Sequence, residues 1–413
     1  DGFRNLASLK TLHVPSSIRF ILRNAFYGTP VRDLYIEDLK AWCEIYFEPL
    51  WISGNTYSSF SFDCNPIKPA TNIWINGEMV EEDFEIPEGV TKIGQGAFTN
   101  LKYRRVKFPS TLEMIDFRAF QGCKNLDELS FGENLTEICN GSFYECGSLR
   151  SVTLPSSLEY LGFDAFHNED RSGIRVNICS LEWWAGLKGT GSHETPYYFY
   201  VDGKELSDVD LTIPEDVTDI RSYAFYNMPG IRSVTFHDGV KSIGEGAFSY
   251  CKGLKELRLP SSLESIGKEA FRNCEGLESL VIPPCKLKRI EEYTFSNCTG
   301  LKTLYIPEPV EFIGMIAFSN CDSLEIVTLP STINNLFWGP FSGCQSLKDV
   351  YIKSTTLPEG CEFSESQEEE FLANIILHVP EGSLDIYRDE DPWKYFKEIL
   401  ETKPEDFPTP EQY

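Results

Sequence analysis

Histidine, methionine and positive charge are all scarce in this 413-residue sequence, which has five His, four Met, and 37 Lys plus Arg against 63 Asp plus Glu. The net charge of −26 excludes general electrostatic binding to nucleic acid or to an anionic membrane surface. No stretch approaches the ~20 consecutive apolar residues of a bilayer-spanning helix. His13, His167, His193, His237 and His378 are scattered singly, with no HExxH or HxxxH pair. A GxSxG elbow, a phosphate-binding glycine loop and an EF-hand loop are also missing. No catalytic residue, metal ligand set or cofactor is expected, and no enzyme. A leader is missing too, but the sequence opens inside a repeat, at Asp1-Gly2-Phe3-Arg4-Asn5-Leu6, so an upstream part is expected and its absence excludes nothing.

What the sequence does have is a beat of phenylalanine. Phe98, Phe120, Phe143 and Phe166 form one run, and Phe225, Phe248, Phe271, Phe295, Phe318 and Phe341 another, with steps of 22 to 24 residues; Phe3 and Phe26 keep the same step. A fixed period of this size means a solenoid, in which each coil covers its apolar side only with its neighbours. The unit is clearest from Ala247-Phe248 through Cys251, Leu254, Leu257, Leu259-Pro260, Leu263 and Ile266-Gly267. Its Leu-x-x-Leu-x-Leu-Pro segment reads as a short strand with alternate residues buried, closed by a proline that cannot extend the ladder. Stacked strands then give one parallel sheet, one strand per coil of about 23 residues.

Thirteen cysteines would ordinarily raise disulfides or zinc. Seven of them, Cys123, Cys146, Cys251, Cys274, Cys298, Cys321 and Cys344, sit three residues after a repeat phenylalanine. They form one rung per coil, where stacked side chains lie about 4.8 Å apart with parallel Cβ vectors, and a disulfide needs about 3.8 Å and convergent ones. The rung reads as buried small hydrophobes. Leu6, Leu101 and Met228 hold the same place in other coils.

Two gaps interrupt the beat, 72 residues from Phe26 to Phe98 and 59 from Phe166 to Phe225. Each opens on a helical spacing, Ile36, Leu39, Trp42 in one and Ile178, Leu181, Trp184 in the other. Each continues into alternating apolar residues and a hairpin dipeptide, Asn76-Gly77 or Asp202-Gly203. They read as enlarged coils at about 37–82 and 179–208, with Trp42 and Trp184 pinning a short helix to the core. After the strand at Ile375, Leu377 and Val379, residues 381–401 read as a cap in the form of a broken amphipathic helix, and 402–413 as a Pro- and Glu-rich tail. Residues 1–401 are thus expected to be one solenoid.

The unit Leu-x-x-Leu-x-Leu-Pro-Ser-Ser-Leu-x-x-Ile-Gly-x-x-Ala-Phe-x-x-Cys resembles the BspA-type leucine-rich repeat of bacterial surface proteins, over nearly the whole chain from Phe3 to about Leu400. The resemblance implies a curved sheet on one side of the coil and an exported protein, at the cell surface or secreted. Members are similar to adhesins that bind matrix proteins, other bacteria or glycans, and no family-wide catalytic or ligand residue carries over.

Function must then be sought on the outward residues of the sheet, the second and fourth before each closing proline. In the early coils these are mostly charged, including Asp33, Asp83, Glu85, Arg105, Lys107 and Glu128, and cross-coil ion pairs account for them. In the late coils they are Val281, Thr303, Tyr305, Ile326, Thr328, Tyr351 and Ile376, an aromatic and aliphatic group that marks a ligand face. Good strand formers would also give that composition. The reading is a non-enzymatic recognition module for a protein or glycan, monomeric, with neither nucleic acid nor membrane as partner. The alternatives are a structural spacer and a polysaccharide lyase, for which Asp83, Glu85 and Arg105 are the nearest match to a metal-and-base site.

Overall fold

The computed structural model describes residues 2–51, 60–62, 64–168, 173–189, 197–358, 361–363 and 368–409. His193 and residues 410–413 of the expected tail lie outside them. The repeat becomes a parallel-sheet solenoid of about 16 turns with little helix. The chain forms two compact units, residues 1–183 with 187–205, and residues 184–186 with 206–413.

In each unit the Leu-x-Leu segments give short strands whose middle residue is buried and whose flanks face outward, as in Arg105–Lys107, Glu128–Ser130 and Glu256–Arg258. The ladders run in register, so that Glu256, Leu257 and Arg258 face Ser279, Leu280 and Val281; a one-residue shift between Val209 and Asp210 interrupts the pairing of Val209–Thr212 with Ile231–Thr235. A second line of two-residue strands follows the turn after the first strand in successive coils, for example Ser242–Ile243 after Asp238-Gly239 beside Ser265–Ile266 after Ser261-Ser262. Conserving this close stack needs the glycine that follows the isoleucine: a Cβ on Gly267 would lie 2.5 Å from the backbone nitrogen of Glu245 in the preceding coil.

The phenylalanines form the core. In the first unit Phe98, Phe120, Phe143 and Phe166 stack with centroids 5.1 to 5.6 Å apart. In the second, Phe225 through Phe341 stack at 4.9 to 5.9 Å. One member escaped the sequence pattern. Phe363 continues the column at 6.2 Å from Phe341, although no Ala-Phe pair marks it.

The cysteine rung is buried and thiol throughout. It is more than an apolar slot: each sulfur donates to the carbonyl of the repeat phenylalanine one coil earlier, as Cys251 Sγ does to Phe225 O at 3.2 Å and Cys344 Sγ to Phe318 O at 3.2 Å. Burial pushes the Cys251 and Cys298 thiols up to about 12.

Both enlarged coils are built as expected. Leu39–Cys43 and Leu181–Gly186 are helices, and each coil ends in an antiparallel hairpin, Asn72–Ile75 with Glu78–Met79 and Tyr197–Val201 with Lys204–Glu205. Asn76-Gly77 and Asp202-Gly203 have positive φ at both positions, the backbone a type I′ turn requires. Trp42 Nε1 donates to Ala97 O at 3.0 Å and Trp184 Nε1 to Ala224 O at 2.6 Å. Each indole is thus fastened to the alanine preceding a repeat phenylalanine. An additional pairing, Leu50–Trp51 with Phe60–Ser61, had no signal in the sequence.

The end of the chain departs from expectation. Only Leu384–Arg388 is α-helical; Trp393–Tyr395 is a single 3-10 turn, and Glu398–Thr402 is a strand paired in parallel with Ile376–Pro380 over five residues. The free edge of Ile376–Pro380 supplies a ladder that short apolar periodicity cannot anticipate. Sealing is done by aromatic edges: Trp393 and Phe396 meet the Phe363 ring edge-on at 5.2 and 5.3 Å.

Candidate functional site

The late-coil residues expected to form a ligand face lie on two sheets of the second unit. Thr303–Tyr305, Ile326–Leu329, Asp349–Ile352, Ile376–Pro380 and Glu398–Thr402 form one. Val281 ends the preceding sheet, where it faces Arg258. Register places Thr303, Ile326, Asp349 and Ile376 in one outward row, and Tyr305, Thr328, Tyr351 and His378 in the next. Val281, Thr303, Tyr305, Ile326, Tyr351 and Ile376 are half-buried.

Thr328 is a correction. It lies on the outward row but is 0% exposed. Its register partners are Tyr305 on one side and Tyr351 on the other, two large rings beside a small side chain. Lys353 Nζ donates to the Tyr305 hydroxyl at 3.0 Å and sits 4.8 Å from that ring's centroid, so this bond bridges the coil that carries Thr328.

Tyr351 is also partly roofed. His378 stacks on it at 4.0 Å and 9°, and Phe407 meets it edge-on at 6.1 Å. Phe407 is only 7% exposed, so the segment read as a free tail returns to the sheet and buries an aromatic there. His378 is held from both sides, with Nε2 2.9 Å from Asp349 Oδ1 and Nδ1 3.3 Å from Thr402 Oγ1. Burial, with the Asp349 charge second, raises the Tyr351 hydroxyl above its usual range. Sequence reasoning missed Lys353, Asp349 and Phe407 as parts of this surface. Lys353 was legible, being two residues beyond Tyr351 and so on the same outward face by alternation; Phe407 sits in an aperiodic segment and was not.

Four of the six early-coil charges form the expected cross-coil pairs, and among the described residues none is shown for Glu128. Arg105 Nε lies 3.2 Å from Asp83 Oδ1, and Lys107 Nζ 2.8 Å from Glu85 Oε1, each on the register partner. Asp33 differs, accepting from Asn72 Nδ2 at 2.5 Å. The three residues of the lyase reading are thus committed to ion pairs. Among the described residues no group of three or more His, Cys, Asp or Glu side chains gathers to hold a metal, and no helix is long and apolar enough to cross a membrane.

The family model described as BspA type leucine rich repeat region (6 copies) matches residues 1–48, 79–180, 203–285 and 281–371. The chain belongs to the BspA-type leucine-rich repeat family. The matched stretches of this BspA-type array break off twice, after the helix Leu39–Cys43 in the first insertion and just before the helix Leu181–Gly186 in the second, and each resumes within the hairpin that ends the insertion. The array is similar to a leucine-rich repeat protein from Bacteroides ovatus, at 23% identity over 80% of this chain and 75% of that one, TM-score 0.41. It is similar to a leucine rich cell surface protein from Faecalibacterium prausnitzii, at 20% over 86% and 91%, TM-score 0.45. It is also similar to the pneumococcal vaccine antigen PcpA, at 17% over 96% and 90%, TM-score 0.45. No curated protein matches the array. Family membership rests on the repeat itself.

Proposed function

We propose that this BspA-type array is a non-enzymatic recognition module of an extracellular or cell-surface protein, engaging a protein or glycan through the outward sheet face of its second unit. The observation that carries the reading is the in-register row of Thr303, Ile326 and Ile376 beside Tyr305 and Tyr351, half-exposed on a stacked sheet. Such a face is ordered before binding, so little side-chain entropy is lost on association, and aromatic and aliphatic groups supply the area hot spots use. Val281 extends it by one strand. The charge of −26 opposes nucleic acid as the partner.

A structural spacer is the rival reading, favoured by the runs of stacked phenylalanine and bonded cysteine within each unit, which stiffen a coil stack whether or not it binds anything. An array of matrix proteins and glycans probed with the full chain separates the two. Recognition requires a saturable partner whose affinity falls about tenfold or more on Ile326→Arg, a charge placed in the centre of the row. No partner on the array, or one indifferent to Ile326→Arg, leaves the spacer.

A further inference from the structure

The first unit carries an outward row that the preceding reading does not use. Register places His13, Tyr35 and Trp74 on three adjacent strands, Thr11–Val14, Asp33–Ile36 and Asn72–Ile75. Their rings form one column, His13 on Tyr35 at 4.3 Å and 9°, Tyr35 on Trp74 at 5.2 Å and 12°. Beside it runs the row Thr11, Asp33 and Asn72, in which the Asn72 amide holds the Asp33 carboxylate.

The second unit supplies an internal control. Its comparable column, Tyr351 on His378, has its polar edge closed by the chain itself: both nitrogens of His378 are engaged and Phe407 covers Tyr351. In the first unit the edge is open. Among the described residues neither the Tyr35 hydroxyl nor either ring nitrogen of His13 has a hydrogen-bond partner, and the covered Trp74 Nε1 has none either. Asp33 accepts from Asn72 through one oxygen, which leaves the other for a donor from outside. The Tyr35 and His13 groups are fixed and open to water, which a ligand with matching donors and acceptors can replace.

We propose that this strip is a binding site for a neutral carbohydrate. Sugar hydroxyls both donate and accept, and the strip offers both roles at one coil spacing: Asp33 and the Asn72 carbonyl accept, the Tyr35 hydroxyl does either, and one His13 nitrogen donates while the other accepts. No cationic side chain belongs to either row, and Asp33 is the one charge, so an anionic ligand is repelled. The ring faces within the column are spent on one another, so the contact is with ring edges and hydroxyls rather than with an apolar side chain. The stacking and the Asp33–Asn72 bond fix the groups before the ligand arrives. The site is separate from the second-unit face and does not rest on it.

The test is titration calorimetry of the full chain with maltotetraose, cellotetraose, mannotetraose and chitotetraose, and with polygalacturonate as the anionic counterpart. At least one neutral tetrasaccharide is expected to bind with a Kd of about a millimolar or tighter. Asp33→Asn is expected to weaken it about tenfold, and Tyr35→Phe about threefold or more, since the latter removes one hydroxyl and keeps the stack. Tyr35→Phe should melt with the parent, which keeps the test sound if Asp33→Asn proves unstable. No heat from any neutral probe at about 10 mM overturns the proposal. So does tighter binding of polygalacturonate, or a neutral ligand indifferent to both substitutions. A ligand lost on Ile326→Arg and unaffected by Asp33→Asn belongs to the second-unit face, which sinks this site and leaves that reading standing.

Discussion

The ammonium of Lys353 and the hydroxyl of Tyr305 meet at 3.0 Å although the residues are 48 apart in sequence and a whole coil lies between them. The bond bridges the coil of Thr328, which lies between Tyr305 and Tyr351 and is closed to solvent. The repeat brings residues together by coil count, so a side chain long enough to skip a coil can roof a neighbour.

The same roof alters what a double change on the face should do. Tyr305→Ala with Tyr351→Ala removes the partner of Lys353 and the ring on which His378 and Phe407 rest. Beyond any loss of binding, we expect a stability loss of about 1–3 kcal/mol, read as a lower melting temperature by circular dichroism. A pair of freely outward side chains would leave the melting temperature unchanged, and that result would show that the roof is not formed in solution.

Phe248 is fully buried and stacked on both sides, on Phe225 at 4.9 Å and Phe271 at 5.2 Å. Phe248→Ala should cost about 3–5 kcal/mol in denaturant unfolding, since the coil spacing is fixed by ladders on either side and the cavity cannot collapse. A variant as stable as the parent would mean the repeat phase is wrong.

The indole anchors are open to a narrower substitution. Trp184→Phe keeps an aromatic in the buried slot and removes the donor to Ala224 O, together with much of the face on which the Arg221 guanidinium rests at 4.4 Å. A loss of about 1–3 kcal/mol is expected, part of it from the unpaired carbonyl. Trp42→Phe should cost less, because Ala97 O keeps a second donor in Asn65 Nδ2 at 2.8 Å.

Native thiol labelling should separate the cysteines by place. Cys179 is exposed and should react first, while the seven rung thiols should react only on unfolding. Rung cysteines found oxidised, or labelled in the native state, would contradict the sulfur-to-carbonyl ladder.

Stability should also fall in alkali. Burial raises the folded-state ionisation of Cys251 and Cys298 from 9.0 to about 12. A raised value in the fold means the folded state holds its proton where the unfolded chain has lost it. The stability these thiols contribute is therefore complete below about pH 9 and is lost as pH climbs towards 12. Unfolding midpoints measured across that range should drop, and a Cys251→Ala, Cys298→Ala variant should drop less steeply.

The sequence by itself determined the coil. A period near 23 residues with Phe, Leu and Cys in fixed places admits one stacking, because each coil can bury those residues only against the same residues of its neighbours. The Asn76-Gly77 and Asp202-Gly203 turns and the Trp42 and Trp184 anchors were legible for a similar local reason, since a dipeptide fixes its backbone and an indole on an apolar helix face must be buried. Tertiary structure alone decided which outward residues are open. Alternation says that Thr328, Tyr351, His13 and Tyr35 all point away from the core, and it cannot say that Thr328 is closed between Tyr305 and Tyr351 and that Phe407 covers Tyr351, while nothing described occupies the polar edge of the others. Exposure of a surface residue depends on the reach of side chains from other coils and on where an aperiodic end of the chain comes to rest. Neither is encoded in the period.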